Sequence, residues 1–201
     1  MVIESVSALR QLFPAPTPRA VQKQLGALDT HCRRFIALSP FVVLATTDAG
    51  FNLDASPRGG SPGFVKVTAD GTLLLPDSPG NNRLDSFENI VATRHVGLLF
   101  LIPGFDETLR VNGSALLSTH ADDIAACTND KRAPKLVVRV TVEAAYLHCA
   151  KAFLRAKLWE APSLVDRSVL PTAGEMIRDQ TGLQIEPETQ EAMVRRYAPD
   201  L

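Results

Sequence analysis

The alternation of apolar and polar positions changes character near residue 40. Up to there the chain carries helix-period apolar positions, Ile3 to Leu12, Arg19 to Leu25 and "DTHCRRFIAL", interrupted by "FPAPTP". Asp29 or Thr30 is placed to cap the third helix, and Pro40 closes the region. From Phe41 onward short β-branched and apolar runs are broken by Gly, Asp and Pro. "FVVLATT" and "FNLDASPR" flank "DAG", and "GFVKVTA" and "TLLLPD" flank "DG", which predicts two hairpins in a meander because glycine accepts the positive φ of tight turns. A helix is predicted at 82–90, then a third hairpin from "HVGLLFLIPG" and "ETLRVNGSALLS" around "PGFDE". A polar, partly helical interval at 119–134 precedes the longest strand candidate, "KLVVRVTVEAAYLHC". Beyond "AKAFLRAKLW", two short polar helices are predicted around 171–180 and 187–197.

Six or seven antiparallel strands of this length expose sheet edges unless they close, so a small closed barrel is predicted. The division predicted is therefore N-terminal helices packing on the barrel (1–40), the barrel itself (41–160) and a C-terminal helical extension (161–201).

Charge narrows the function classes. With 21 basic and 22 acidic residues the formal net charge is -1, so no global basic field calls for nucleic acid. No apolar run approaches the roughly 20 residues that span a bilayer. "MVIESVSALRQLFPAP" lacks the basic-then-apolar order of a secretory signal, so the expected location is the cytoplasm. Three widely spaced cysteines, Cys32, Cys127 and Cys149, argue against a disulfide framework and for free thiols. "HC" occurs twice without CxxC or HxxxH spacing, and adjacent strand residues point to opposite faces, so no metal site is expected.

The candidate chemistry lies in two turns. "LLLPDSPGNNRLDSFENI" runs from a strand through Asn81, Asn82 and Arg83 into a helix, and "DASPRGG" ends a strand with Ser56 and Arg58 on one face if Pro57 does not break it. Two arginines, two amides and a helix N-terminus suit a phosphate monoester, which guanidiniums bind bidentately and helix ends favour. The competing reading has Asn82 capping the helix and both arginines in surface ion pairs. G-x-S-x-G, P-loop and HExxH patterns are absent, and the Gly-bearing turns lack the strand and helix context of a dinucleotide fold.

The order of strands, "SPRG", "PGNNRLDSFENI" and "LRVNG" resemble the pyridoxamine 5′-phosphate oxidase-type FMN-binding split barrels over roughly residues 35–160, in the branch of uncharacterised FMN-dependent flavoproteins. The resemblance implies a mainly β fold with flanking helices, a six- to seven-stranded antiparallel Greek-key split barrel. It further implies a homodimer that holds FMN between subunits and carries out redox chemistry on a small molecule, with NAD(P)H as a donor. By position, Arg58 with Asn82 and Arg83 would hold the FMN phosphate, Gly59 to Lys66 would line the ring, and Thr108 would lie near the ring or ribityl chain. Lys66, Lys151 and Arg155 are the cations available to the reduced ring, and Trp159, four residues after Arg155, would cover the ring from the partner subunit. Asn81-Asn82-Arg83 replaces the oxidase's Ser-Arg-Lys run, and "RRYAPDL" does not reproduce its Trp…Arg-Leu ending, so vitamin B6 oxidation is not implied. The alternatives are a deazaflavin F420-dependent reductase of the same fold and a non-catalytic flavin or haem binding protein, the latter with His95 or His148 as an axial ligand.

Overall fold

The computed structural model describes residues 2–129, 132–184 and 186–200; positions 130 and 131, within the expected polar interval, lie outside the described residues. Three helices lead in: α1 (Val6–Gln11), α2 (Pro18–Gln22) and α3 (Thr30–Leu38). Asp29 caps α3 by accepting the Cys32 N–H at 2.8 Å, and α3 buries Cys32 and Ile36. Neither α1 nor α2 buries a residue.

Seven strands follow: β1 (Phe41–Thr47), β2 (Leu53–Gly59), β3 (Lys66–Val67), β4 (Leu73–Pro76), β5 (His95–Leu101), β6 (Thr108–Ser118) and β7 (Val137–His148). They form one antiparallel sheet in the order β2-β1-β5-β6-β7-β4-β3, the curled sheet of a split barrel. The first four strands are therefore not a continuous meander. β1 pairs with β2 and β3 with β4, but the two hairpins sit at opposite ends of the strand order. The connection 60–65 crosses between them past the end of α3, where the Gly60 and Gly63 N–H groups donate to Pro40 and Ser39 carbonyls at 3.0 and 3.2 Å. Ser39, itself buried, places its Oγ 2.7 and 2.6 Å from the Phe41 and Leu101 carbonyls and so fastens that corner.

Strand alternation sends one set of side chains inward. Val42, Leu44, Phe100, Leu98, Leu109, Val111 and Val140 form the core with Ile36 of α3 and Ile90 of α4 (Asp85–Thr93). The helix α4 begins three residues later than the pattern predicts because Asn82 and Leu84 take left-handed φ values of 58° and 62°. A further helix, α5 (Ala121–Cys127), is tied to the sheet through buried Asp123, which accepts from Ser118 at 2.6 Å and pairs with Arg139 at 2.5 Å. After α6 (Lys151–Ala156) the chain carries α7 (Ala173–Thr181) and α8 (Gln190–Tyr197), each capped by a threonine and each without a buried residue.

The longest strand pair, β6 with β7, contains a register shift at Asn112/Gly113, where Glu143 is the extra residue. A Cβ on Gly113 would fall on the Thr141 carbonyl. Replacing Gly113 by Ala is expected to cost about 1–3 kcal/mol through forced displacement of the paired backbone. Thermal melting checks this: the variant should unfold several degrees below the wild type, and an unchanged midpoint would show that the bulge relaxes freely.

Candidate functional site

Pro57 does not break β2. As an edge strand it tolerates a residue that cannot donate to a ladder, and the alternation continues through it. Asp54, Ser56 and Arg58 are half-buried, while Leu53, Ala55, Pro57 and Gly59 are exposed. Ser56 and Arg58 thus share a face as their spacing predicts, and their register partners Leu44 and Val42 are fully buried, which identifies that face as the inner one.

Against this face α4 lays its first turns. Asn89 donates to Thr46 Oγ1 at 3.0 Å, Thr93 Oγ1 donates to the Thr47 carbonyl at 2.9 Å, and Ser86, 3% exposed, donates to Asp54 at 2.5 Å. Arg58 Nη2 donates to Ser86 Oγ at 3.3 Å, and the guanidinium lies 5.2 Å from the centre of the Phe87 ring. Burial pushes the Arg58 pKa down, while Asp54 and Asp77 pull it up. Arg58 Nε is shut from solvent and has no hydrogen-bond partner. A buried donor left in that state costs about 1–3 kcal/mol, so it marks a place where an acceptor fits.

The approach to α4 differs from the expected convergence. Leu84, not Asn82, is the N-cap, and no side chain caps the helix. Asn81 Oδ1 instead accepts the Arg83 N–H at 3.1 Å in a local turn. Arg83 faces solvent, its side chain 73% exposed, and pairs with Asp85 at 2.8 Å. Hydrogen bonding to that carboxylate raises the Arg83 pKa. Of the two arginines, only Arg58 is drawn into the fold. β2, which carries Arg58, does not pair with β4, which leads into the Asn81–Arg83 turn; α4 is what joins the two.

The remaining candidates lie elsewhere. Lys66, exposed at the start of β3, donates to the Gly63 carbonyl at 2.9 Å. Thr108 is buried at the start of β6, opposite His148 on β7. The Arg58–Val42–Phe100–Leu109–Leu147 row runs across five strands, so Gly59 and Thr108, one residue beyond it, and α6 after β7 occupy the same end of the barrel. Arg155 Nε turns back to the Lys151 carbonyl at 3.0 Å. Arg155 and Trp159 do not share a helical face, because Lys157 adopts φ 51° and ends α6 before Trp159 is reached. Trp159 instead donates to the Phe105 carbonyl at 2.8 Å and stacks on Phe153 with 5.8 Å between centroids. Among the described residues no hydrogen bond, ion pair or ring contact joins this segment to Arg58.

Asp54, Ser86 and Phe87 were not singled out from sequence. Asp54 continues the two-residue spacing of Ser56 and Arg58 and could have been included on that ground. Nothing in the pattern around Ser86 separates it from a solvated helical serine.

Among the described residues no group of three or more His, Cys, Asp or Glu side chains is arranged to hold a metal ion, and no helix is long and apolar enough to cross a membrane. Cys32 and Cys127 are buried and Cys149 is exposed. Burial, assisted at Cys32 by Asp29, pushes the first two thiols up to about 11. A disulfide reagent such as DTNB should therefore modify Cys149 rapidly in the native protein and the other two only on unfolding. Rapid reaction of a second thiol would show that one of these environments opens in solution.

The family model for pyridoxamine 5′-phosphate oxidase matches residues 28–149, more than half of the chain. Comparison with curated proteins gives no match. Similar solved structures include HupZ of Group A Streptococcus, 17% identical, covering 59% of this chain and 91% of that one with a TM-score of 0.49. A putative pyridoxamine 5′-phosphate oxidase from Lactobacillus delbrueckii is 23% identical, with coverages of 62% and 98% and a TM-score of 0.46. The FAD binding protein from Mycobacterium smegmatis is 15% identical, with coverages of 60% and 94% and a TM-score of 0.42.

Proposed function

Because the chain belongs to the pyridoxamine 5′-phosphate oxidase family, we propose that it is a flavoprotein oxidoreductase whose FMN phosphate is held by Arg58 at the start of α4. The observation that carries this reading is the buried, unpartnered Arg58 Nε beside an uncapped helix start. Those donors fit a phosphate: a guanidinium offers a charge-assisted bond, and the helix end adds positive dipole. Ser86, itself held by Asp54, and the Phe87 ring keep the guanidinium oriented.

When bound, FMN would supply the electron or hydride transfer between NAD(P)H and a small-molecule substrate. The chain's own work is then to bind, orient and cover. Gly59 to Lys66 and Thr108 would border the ring, and Asn81, Asn82 and Arg83 would flank the phosphate, Arg83 after leaving Asp85. Ser56, one alternation from Arg58 on the same face, would border the ribityl chain. Lys151, Arg155 and Trp159 would reach the flavin only from a second subunit.

A homodimer is part of the proposal for a physical reason. The outward residues Ala55, Pro57, Phe41, Val43, Leu99 and Leu101 form a largely apolar sheet face, and closed two-fold pairs are the commonest way to cover such a face. Light scattering should give twice the mass of the chain at micromolar concentration; a monomer would reject this assembly.

FMN binding, followed by quenching of flavin fluorescence, tests the phosphate assignment. The wild type should bind FMN more tightly than riboflavin, which lacks the phosphate. Arg58→Gln should weaken FMN binding about 10- to 100-fold, the equivalent of a lost charge-assisted bond of roughly 1.5–3 kcal/mol, and leave riboflavin binding unchanged. Equal FMN affinity in variant and wild type would reject Arg58 as the phosphate ligand. The absorption spectrum of the loaded protein separates FMN from deazaflavin and haem.

A further inference from the structure

Two stretches of the chain stand away from the barrel. The leading one, residues 2–22, carries α1 and α2; the first residues tied to a strand are Lys23, whose Nζ donates to the Leu147 carbonyl at 2.8 Å, and Leu25, which exchanges backbone hydrogen bonds with Ala145 at 2.9 and 2.8 Å. The trailing one begins after Trp159, which donates to the carbonyl of Phe105 in the β5–β6 loop. Among the described residues no hydrogen bond, ion pair or ring contact joins residues 160–200 to residues 2–148. Both stretches leave from one end of the sheet, since the β5–β6 loop runs into Thr108, and Thr108 is the register partner of His148, next after Leu147.

The trailing stretch is nonetheless built as a unit. Thr172 and Glu175 close a capping box at the start of α7, and Arg196 of α8 forks the Glu188 carboxylate, Nε at 3.0 Å and Nη2 at 2.7 Å. The turn into α8 lies so close to α7 that a Cβ on Gly174 would meet the Glu188 nitrogen at 2.8 Å. Helices of nine and eight residues are marginal in isolation, and these two bury no residue of their own. Ile177 and Val194 stay exposed on them, and the connector before α7 exposes Leu164, Val165, Val169 and Leu170. The leading stretch has the same need: Val6, Leu9, Leu12 and Phe13 are all exposed. Apolar side chains gathered in this way mark contact surfaces.

Charge decides how they are covered. Residues 2–25 hold three basic side chains and one acidic, whereas residues 161–200 hold seven acidic and four basic. Two leading stretches together, or two trailing ones, set like charge against like; a leading stretch against a trailing one sets opposite charges together. Among the described residues Arg10 and Arg19 on one side, and Glu186 and Glu191 on the other, have no ion pair. The two stretches of one chain do not meet, although they leave the same end of its sheet, so the counterpart of each belongs to another copy.

We propose that residues 160–200 of one copy pack on residues 2–22 of a second copy of this chain, each copy giving and receiving one such contact. The exchange is closed, so it ends at two copies and does not propagate. It rests on the homodimer reading above but involves neither the sheet face of β1, β2 and β5 nor the position assigned to the flavin. The apolar side chains supply the affinity, and the opposite charges select which stretch meets which.

Carbodiimide coupling of the full-length protein, which joins touching amines and carboxylates without a spacer, tests it by mass spectrometry. The protein carries Arg10→Lys and Arg19→Lys, which keep the charge and put amines on the leading stretch. Isotopically light and heavy copies are unfolded and refolded together so that they mix. Links should form between these two positions and the carboxylates of residues 161–200, with a light peptide joined to a heavy one as often as random mixing allows. Adding the exposed-site change Leu9→Asp should lower the yield of that product about tenfold, while light scattering still gives the dimer. Links confined to one isotope would overturn the inference by placing the trailing stretch on its own chain. A yield unchanged by Leu9→Asp would overturn it as well. Light-to-heavy links elsewhere, with none between these two stretches, would overturn it and leave the homodimer standing. A monomer in light scattering would reject the homodimer reading itself, and this contact with it.

Discussion

An arginine that points inward from an edge strand has to be answered by whatever covers that edge. β2 carries three polar side chains on its inner face, Asp54, Ser56 and Arg58, opposite the apolar Val42 and Leu44 of β1. An all-apolar helix could not close over them, because a buried charge without partners costs several kcal/mol. The helix that does close there presents Ser86 and Phe87 to Arg58 and reserves Ile90 for the core. Its position follows from left-handed residues at both ends. Asn82 and Leu84 turn the chain into α4, and Arg94, with φ 62°, turns it out again toward β5, its carbonyl accepting from Ala115 at 2.7 Å. The candidate site is thus the result of how a split barrel covers a polar edge.

The same constraint explains what could be learned before the structure was known. Hairpin turns are local, and the glycines of "DAG" and "PGFDE" mark β1–β2 and β5–β6 without reference to anything distant. The two-residue period placed Ser56 with Arg58 correctly because alternation survives a proline on an edge strand. Pairing order is different in kind. Whether β4 finds β2 or β7 depends on burial across the whole sheet, and no local signal distinguishes the two, so the meander reading failed between β2 and β3. The helix start was misplaced for a subtler reason. Asparagine is favoured both as a cap and in left-handed turns. At Asn82 the second role won, leaving Leu84 to begin α4 without a capping side chain. Trp159 shows the converse case: spacing of four from Arg155 has no meaning once Lys157 breaks the helix.

A net charge of -1 conceals two local imbalances of opposite construction. On the inner face, burial pushes the Arg58 pKa down more than Asp54 and Asp77 pull it up, and one N–H is left without a partner. On the outer face, Lys23 and Arg110 share an aromatic ring without any acid, and there the charge itself is unanswered. The first arrangement sets a requirement of geometry, one buried donor beside a helix start that no side chain caps. The second leaves flexible Lys23 and the several free N–H groups of Arg110 on the outer face with no acid to answer them. Neighbouring residues on one strand, Leu109 in the core and Arg110 outside, are enough to separate the two because alternation assigns them to opposite faces.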